Sequence, residues 1–374
     1  MDKWIITDKY VIGYNTNILT KTYNKIHFFD LDNTIIKTKS GRRFPTNNYD
    51  WELLNSNVKH KINKLEFCGI ISNQSGLRTK TQIDGWIKKI KDISLEIRID
   101  ALFCSLQNSE YRKPMNGFWD YMKQNLFLNI DTTKLINDKK IYYIGDACGR
   151  ENDFSDTDLK FAINCNFIFK TPEIFYGSTI NEKCYVSYPE LIYYTKEQYE
   201  LIINNLYINI DKYINNNKSI IIMMIGFPSS GKSFIRKILL DKYNNFKYTN
   251  SDEIKNKTIN DKLLDQKLLI KNKLIINDNT NMEYEKQSKI LNELNDYIKI
   301  AIIFDYSIDL CNHLNYMRMY HFKFKLIGNV VYNTLNKKSP NFVDDISKNN
   351  YDYIVKIDKL LPQYNIENNL KYYY

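Results

Sequence analysis

The sequence is poor in cysteine and histidine, and the few it contains form no recognisable set of metal ligands or disulfide partners. Among 374 residues there are six cysteines and four histidines. No two cysteines are spaced as a CxxC pair and no histidine lies at ligand spacing, which argues against a zinc site and against a disulfide framework. A reducing, intracellular compartment is therefore expected. The cysteines are Cys68, Cys104, Cys148, Cys165, Cys184 and Cys311.

Long apolar runs are also missing. The N-terminal stretch MDKWIITDKY lacks the apolar core of a secretory signal. The longest apolar run, around Ile220–Ile225, is far too short to span a bilayer. The sequence therefore predicts a soluble protein with no membrane partner.

The overall composition is that of a folded protein with room for two domains. Apolar residues make up 43% and charged residues 26% of the chain, which excludes a disordered polymer. The formal net charge is +10, which is compatible with a polyanionic partner such as nucleic acid. A lysine-rich composition alone would give the same charge, so the net charge does not decide whether the protein binds nucleic acid.

The stretch Ile26–Pro45, IHFFDLDNTIIKTKSGRRFP, is the first that suggests chemistry. A short apolar run predicts a buried strand, and Asp30 and Asp32 follow it at i and i+2, on the same side of an extended chain. Two carboxylates at the carboxyl end of a strand suit phosphoryl transfer, in which one attacks phosphorus and the other donates and then recovers a proton. The alternative is an ordinary Asp/Asn surface turn.

Three further strand ends carry polar side chains in the same half of the chain. Ser72 and Asn73 follow a predicted strand and could bind phosphate oxygens, although a Ser/Asn turn would look the same. Lys113 precedes a proline, which holds it extended, and its ammonium could neutralise a transferring group. Asp146 ends another strand and, with Asp30, would form an oxygen-rich site for a hard cation such as Mg²⁺.

The order of these elements resembles the haloacid dehalogenase superfamily. The segments FDLDNT, SNQSG, YRKPMNGFWD, IGDACGR and DFSDTDLKFAIN resemble the phosphatase domain of the polynucleotide kinase 3′-phosphatase family. The resemblance implies Asp30 as nucleophile, Asp32 as acid/base, Ser72 and Lys113 as phosphate binders and Arg112 as a contact to the nucleic-acid end. Asn33 stands where the family usually has glycine; because Asn tolerates a left-handed backbone, we expect the turn to be kept.

In the second half, an apolar strand is followed directly by a phosphate-binding loop of the form GxxxxGKS. Backbone amides of such a loop face nucleotide phosphates at a helix N-terminus, the lysine meets the β- and γ-phosphates, and the serine meets Mg²⁺. ATP is therefore the expected phosphoryl donor. The predicted ATP-binding residues are Gly226, Phe227, Pro228, Ser229, Ser230, Gly231, Lys232 and Ser233.

Two later strands end in aspartates, in YTNSD and NDNTN, which resemble the kinase domain of the same family. The resemblance implies that Asp252 activates a 5′-hydroxyl and that Asp278 lies on the acceptor side. Cys311–His321 matches the family's helical lid and offers Arg318 as the lid arginine, with Tyr316 at the position of a second one. The metal ligands expected over both domains are Asp30, Asp32, Asp146 and Ser233.

These observations predict an α/β protein with two parallel sheets. We expect a haloacid-dehalogenase-like 3′-phosphatase domain over residues 1–195, a connecting helix over 196–218 and a P-loop 5′-hydroxyl kinase domain over 219–374. No N-terminal forkhead-associated module is expected. The expected enzyme prepares DNA or RNA ends for ligation, acts as a monomer and has a DNA ligase as a candidate partner.

Two other functions fit part of the sequence. Asn33 and the missing second lid arginine would suit a non-catalytic scaffold that binds nucleic-acid ends. A metabolite phosphatase fused to a metabolite kinase would keep both phosphate sites, although the +10 charge and the RKP and DNTN contexts disfavour it.

Overall fold

Two largely parallel sheets, formed by separate parts of the chain, organise the structure. The structure is a computed structural model and describes residues 1–177, 183–187, 189–250 and 272–362. The chain divides into two compact units, with the division just before Pro189. The prediction of an α/β fold with two sheets is confirmed.

The first unit contains a seven-stranded sheet in the order β1-β2-β7-β6-β3-β8-β9. Strands β7, β6, β3, β8 and β9 are parallel to their neighbours, while β2 pairs antiparallel with both β1 and β7 at the edge. Strands β4 and β5 form a separate antiparallel pair. The bounds are β1 Lys3–Ile6, β2 Tyr10–Tyr14, β3 Ile26–Phe29, β4 Ile36–Lys37, β5 Glu52–Leu53, β6 Cys68–Asn73, β7 Ala101–Ser105, β8 Ile141–Ile144 and β9 Ile168–Lys170.

Apolar side chains cover both faces of the central strands, as expected for parallel strands buried between helices. All four residues of β3 are buried. Phe28 packs with Phe67 and Trp119 on one face, and Phe29 packs in the cluster of Trp86 and Ile90 on the other. The helices of this unit are α1 Asn57–Ile62, α2 Lys80–Glu96, α3 Gly117–Asn125, α4 Thr132–Asn137, α5 Thr157–Asn164 and α6 Pro172–Tyr176.

The second unit contains a five-stranded, all-parallel sheet in the order β11-β12-β10-β13-β14. Every residue of its central strand is buried. The strands are β10 Ile220–Ile225, β11 Lys247–Thr249, β12 Leu274–Asp278, β13 Ile298–Phe304 and β14 Tyr353–Ile357. The helices are α7 Lys196–Asn215, α8 Lys232–Lys242, α9 Tyr284–Asn292, α10 Ile308–Phe322, α11 Asn329–Lys338 and α12 Phe342–Asp345.

One stretch differs from what the sequence pattern suggests. Residues 47–65 read as one helix, but the structure has a loop, strand β5 and the short helix α1, because the Asp50 carboxylate accepts hydrogen bonds from Ser40 and Thr46 and folds a loop there. A helix was expected over 196–218, and helix α7 lies there and buries Ile203, Leu206 and Ile210 in the core of the second unit.

No helix within the described ranges has the length and apolar character needed to cross a membrane.

Candidate active sites

The first site lies at the carboxyl edge of the first sheet. Strands β7, β6, β3 and β8 are adjacent and parallel, so their carboxyl ends meet at one edge. Asp30 follows β3, Ser72 and Asn73 end β6, and Gly145–Asp146 follows β8. Lys113 lies in the segment between β7 and α3. This edge is where open α/β sheets bind ligands.

Lys113 is the centre of the site. Its ammonium is buried and lies 2.6 Å from Asp30 Oδ1, 2.7 Å from Asp158 Oδ1 and 2.7 Å from the Tyr143 hydroxyl. An ammonium has three N–H donors, so these partners use all of them. Burial alone would lower the pKa of Lys113, but Asp158 and Asp30 outweigh burial and raise it, so the side chain stays charged.

Asp158, at the start of α5, belongs to this site although sequence reasoning did not select it. It is 1% exposed, and its two oxygens are bound by Lys113 and by the backbone amide of Ala147, at 2.7 and 3.1 Å. A Cβ at Gly145 would lie 2.3 Å from Asp158 Oδ2, so only glycine fits there. The quoted segment DFSDTDLKFAIN contains Asp158, but nothing in its spacing separates it from its acidic neighbours.

Three carboxylates in this site lie close enough to hold one cation. Oxygens of Asp30, Asp146 and Asp158 lie within 4.8 Å of one another. Burial raises the pKa of Asp30, and Lys113 opposes this while Asp158, Asp146 and Asp32 add to it. Burial and then Asp158 raise the pKa of Asp146 to about 7. Three carboxylates beside one ammonium leave excess negative charge, and their closely spaced oxygens fit a divalent cation with oxygen ligands.

Asp32 faces a different set of side chains. Its Oδ2 accepts a hydrogen bond from Gln74 at 2.7 Å, and its Oδ1 lies 3.8 Å from the Lys89 ammonium. Gln74 also donates to Ser72 Oγ at 3.0 Å, so Ser72 adjoins Asp32. Among the described residues, the carboxylates whose oxygens lie close enough to share one cation are those of Asp30, Asp146 and Asp158, and Asp32 as a metal ligand stays a prediction.

The remaining residues predicted for this site shape the backbone around it. Asn33 has a φ of 55°, which confirms the left-handed turn expected where the family has glycine. The Asn73 side-chain amide donates to the Lys113 carbonyl, and its oxygen accepts from the Lys113 backbone N–H. Asn73 therefore holds the Lys113 segment in place. Arg112 lies in the same turn, where its amide donates to the Ser109 carbonyl at 3.0 Å.

The second site is the loop between β10 and α8. Gly226 and Gly231 have φ values of 150° and 100°, and Ser229 has a φ of 64°. Left-handed residues are typical of loops whose backbone amides bind phosphate. Phe227 is buried against Tyr332 and Phe342, so its side chain anchors the loop.

Side chains of this second loop are held inside it and against β12. The Lys232 ammonium donates to the carbonyls of Gly226 and Phe227. Ser233 Oγ donates to Asp278 Oδ2 at 2.9 Å. This hydrogen bond places Asp278, which is 3% exposed, beside the loop serine. P-loop proteins carry a metal-linked acid at this place.

Two arginines adjoin this loop. Arg318 on α10 donates from its guanidinium to Ser229 Oγ at 2.8 Å, so the residue expected in the lid does reach the phosphate loop. Arg236 lies 3.1 Å from Asp278 Oδ2 and its guanidinium is 4.2 Å from the Tyr248 ring centroid. Sequence reasoning missed Arg236, although its position one turn after Lys232 places it on the same face of α8. Asp252, the expected base, lies outside the described residues.

These two sites define a class of protein, one that handles phosphoryl groups at two separate centres. The family described as "Polynucleotide kinase 3 phosphatase" matches residues 25–176. The "Bifunctional polynucleotide phosphatase/kinase" of Schizosaccharomyces pombe is 31% identical over 90% of this chain and 80% of its own length. A protein of Acanthamoeba polyphaga mimivirus is 30% identical over 94% of this chain and 89% of its own.

Another relative matches less than half of this chain. The "Polynucleotide 3'-phosphatase" of Saccharomyces cerevisiae is 33% identical over 41% of this chain and 87% of its own length. The chain belongs to the family of bifunctional polynucleotide phosphatase/kinases. The family resemblance expected from the motifs is therefore confirmed.

Proposed function

We propose that this chain removes 3′-phosphates from polynucleotide ends with its first unit and phosphorylates 5′-hydroxyl ends with its second. The observation that carries the proposal is the Asp30–Lys113–Asp158–Asp146 cluster at one sheet edge, in the same chain as a phosphate loop. Family membership supports the same pair of activities.

In the phosphatase reaction, Asp30 attacks the phosphorus of the 3′-phosphate and the bond to the 3′-oxygen breaks. Asp32 gives its proton to that departing oxygen, which leaves as a hydroxyl. A water molecule then attacks the aspartyl phosphate, Asp32 takes up its proton, and inorganic phosphate and Asp30 are released. Lys113 holds the Asp30 carboxylate 2.6 Å away throughout and offsets the charge of the transferring group.

Asp30 and Asp146 are the residues that would hold Mg²⁺ in this site. Both Asp158 oxygens already accept hydrogen bonds, so Asp158 anchors Lys113 instead. When bound, Mg²⁺ would supply positive charge to the phosphoryl oxygens.

In the kinase reaction, ATP is the donor and the loop from Gly226 to Ser233 binds its phosphates. Lys232 would exchange its bonds to loop carbonyls for the β- and γ-phosphates. Asp278 and Ser233 would hold Mg²⁺, a role that differs from the acceptor-side position expected for Asp278. Arg318 reaches the loop and would contact the transferring phosphoryl group, and Asp252 is the proposed base.

Surface chemistry of the first unit supports a polynucleotide substrate. Phe44 and Phe154 are 72% and 85% exposed, and the Arg43 guanidinium lies 5.5 and 4.7 Å from their ring centroids. They lie on the loops that follow Asp32 and Asp146. Exposed rings beside a cation suit stacking on unpaired bases of DNA or RNA.

The reaction that consumes the product is ligation, which requires a 3′-hydroxyl and a 5′-phosphate. A ligase is therefore the partner we propose. The six free cysteines suit an intracellular setting, and we propose a monomer that acts at one end at a time.

The test uses one oligonucleotide that carries a 3′-phosphate and a 5′-hydroxyl, supplied as nicked duplex, single-stranded DNA and RNA with ATP and Mg²⁺. We expect both ends to be converted on at least one of these substrates, with activity falling as salt rises. Binding without conversion of either end would favour the scaffold alternative. Equal conversion of small phosphate esters, with no competition by nucleic acid, would favour a metabolite enzyme.

A further inference from the structure

One lysine beside the first site has no role in the reaction described so far. Lys89 lies on α2 and is 5% exposed. Trp86, Ile90 and Ile93 are the other buried residues of that helix, so Lys89 occupies its apolar face. Burying an ammonium is costly unless its charge is used.

Burial lowers the pKa of Lys89, and Asp32 and, more weakly, Asp50 oppose this. In the part of the chain that the structure describes, the only ionic or hydrogen-bonding contact of its ammonium is Asp32 Oδ1, at 3.8 Å. This exceeds hydrogen-bond distance, so the contact is electrostatic and leaves Oδ1 able to exchange a proton. The other Asp32 oxygen is fixed by Gln74 at 2.7 Å.

The two buried lysines of the site therefore contact different aspartates. Lys113 uses all three N–H donors on Asp30, Asp158 and Tyr143, on the nucleophile side. Lys89 faces Asp32, whose side chain is 48% exposed. In the proposed reaction Asp32 gives its proton to the departing 3′-oxygen. Lys89 therefore contacts the residue that acts on the leaving group, whereas Lys113 contacts the nucleophile.

We propose that Lys89 is a positioning residue for leaving-group departure: together with Gln74 it orients the Asp32 carboxylate so that Oδ1 faces the 3′-oxygen. This inference rests on the proposed role of Asp32 as acid and base. Lys89 touches neither phosphorus nor the attacking oxygen and acts through Asp32.

The test compares two substrates with different leaving groups. A 3′-phosphorylated oligonucleotide releases an alkoxide that needs a proton, whereas p-nitrophenyl phosphate releases a stable phenolate that needs none. Because kcat/KM reports the steps up to departure of the leaving group, the later hydrolysis of the aspartyl phosphate does not enter. Lys89→Met should lower kcat/KM for the oligonucleotide on the order of 10- to 100-fold and change it for the small ester by less than about twofold.

Two further variants make the result interpretable. Lys89→Arg keeps the charge and should restore most of the oligonucleotide activity if Lys89→Met removes it. Lys91→Met changes an exposed lysine of the same helix and should leave both substrates unaffected. Thermal unfolding of each variant shows whether the fold is kept.

An equal loss on both substrates, or no loss on either, would overturn the inference. Wild-type protein that leaves the 3′-phosphate of every oligonucleotide intact would instead remove the proposed function, and this inference with it.

Discussion

The two candidate sites are built from different parts of the chain. In the first unit the groups are side chains from three strand ends, from the segment between β7 and α3 and from the start of α5, and Lys113 is bonded to residues 83, 30 and 45 positions away in sequence. In the second unit most groups belong to eight consecutive residues, and the Lys232 ammonium bonds carbonyls five and six positions away. One site is assembled by the fold, the other by a local loop.

This difference affects how each site depends on its surroundings. The first site holds three clustered carboxylates and two buried lysines, so removal of one charge leaves another uncompensated. The second site is proposed to bind phosphate largely through backbone amides, which substitutions other than proline leave in place. The variants below test this contrast, beginning with the largest expected effect.

Asp30→Ala removes the proposed nucleophile of the assembled site. The 3′-phosphatase activity should fall below about one-thousandth of wild type, because no other carboxylate can form the phosphoenzyme. The 5′-kinase activity of the same protein should stay within about twofold, measured by end-labelling. Loss of both activities in a folded protein would show that the two sites are not independent.

Lys232→Met removes the ammonium of the phosphate loop and tests the second site alone. Kinase activity should fall on the order of 100- to 1,000-fold because the β- and γ-phosphates lose their cation. The 3′-phosphatase activity should persist. Lys237→Met, an exposed change on the same helix, is the control and should leave labelling rates unchanged.

Asp158→Asn should show that the assembled site is also a structural element. The substitution leaves Lys113 buried with one counter-ion fewer, and the free energy of unfolding should fall by about 3 kcal/mol. Denaturant unfolding measures the loss. Asp120→Asn, which breaks a more exposed pair with Lys123, should cost less than about 1 kcal/mol. Equal costs would mean that the Lys113 cluster adds no particular stability.

The carboxylate cluster should make stability depend on pH when metal is absent. Burial raises the pKa of Asp146 from 3.8 to about 7, so its contribution to stability is fully present below about pH 4 and is lost as pH rises through 7. Mg²⁺ binds the ionised form and should therefore raise Tm more at pH 8 than at pH 5. Asp146→Asn should reduce that difference, and an unchanged difference would exclude Asp146 as the cause.

The smallest expected effect concerns the turn after Asp32. Asn33 has a left-handed backbone, so Asn33→Ala should lower the free energy of unfolding by about 1 kcal/mol. Asn33→Gly removes the steric cost and should be tolerated with activity intact. If alanine were as stable as glycine there, backbone strain at this position would not matter.

Sequence patterns predicted the strand before Asp30 and the phosphate loop, because the conformation of each depends on residues that are adjacent in the chain. The apolar run before Asp30 is β3 over the predicted residues, and the glycine spacing of the second loop corresponds to its left-handed φ values. The single helix expected over residues 47–65 was wrong because Asp50 bonds to Ser40 and Thr46 and folds a loop that local preference does not encode.

Three site residues could not have been selected from the sequence. Asp158 is one of several acids in its segment, and only the contact with Lys113 distinguishes it. Arg236 is an ordinary helix arginine until β12 brings Asp278 within 3.1 Å. Lys89 gave one available signal, a lysine on the apolar face of a helix, but its partner lies 57 residues earlier.

The sequence by itself predicted the strands, the phosphate loop and the carboxylates that we propose to react, because these depend on residue type and on spacing along a few consecutive positions. The tertiary structure alone decided which charges face one another: Lys113 with Asp158, Lys89 with Asp32 and Arg236 with Asp278. The physical reason is that the energy of a buried charge depends on partners a few ångströms away in space, and those partners come from distant parts of the chain.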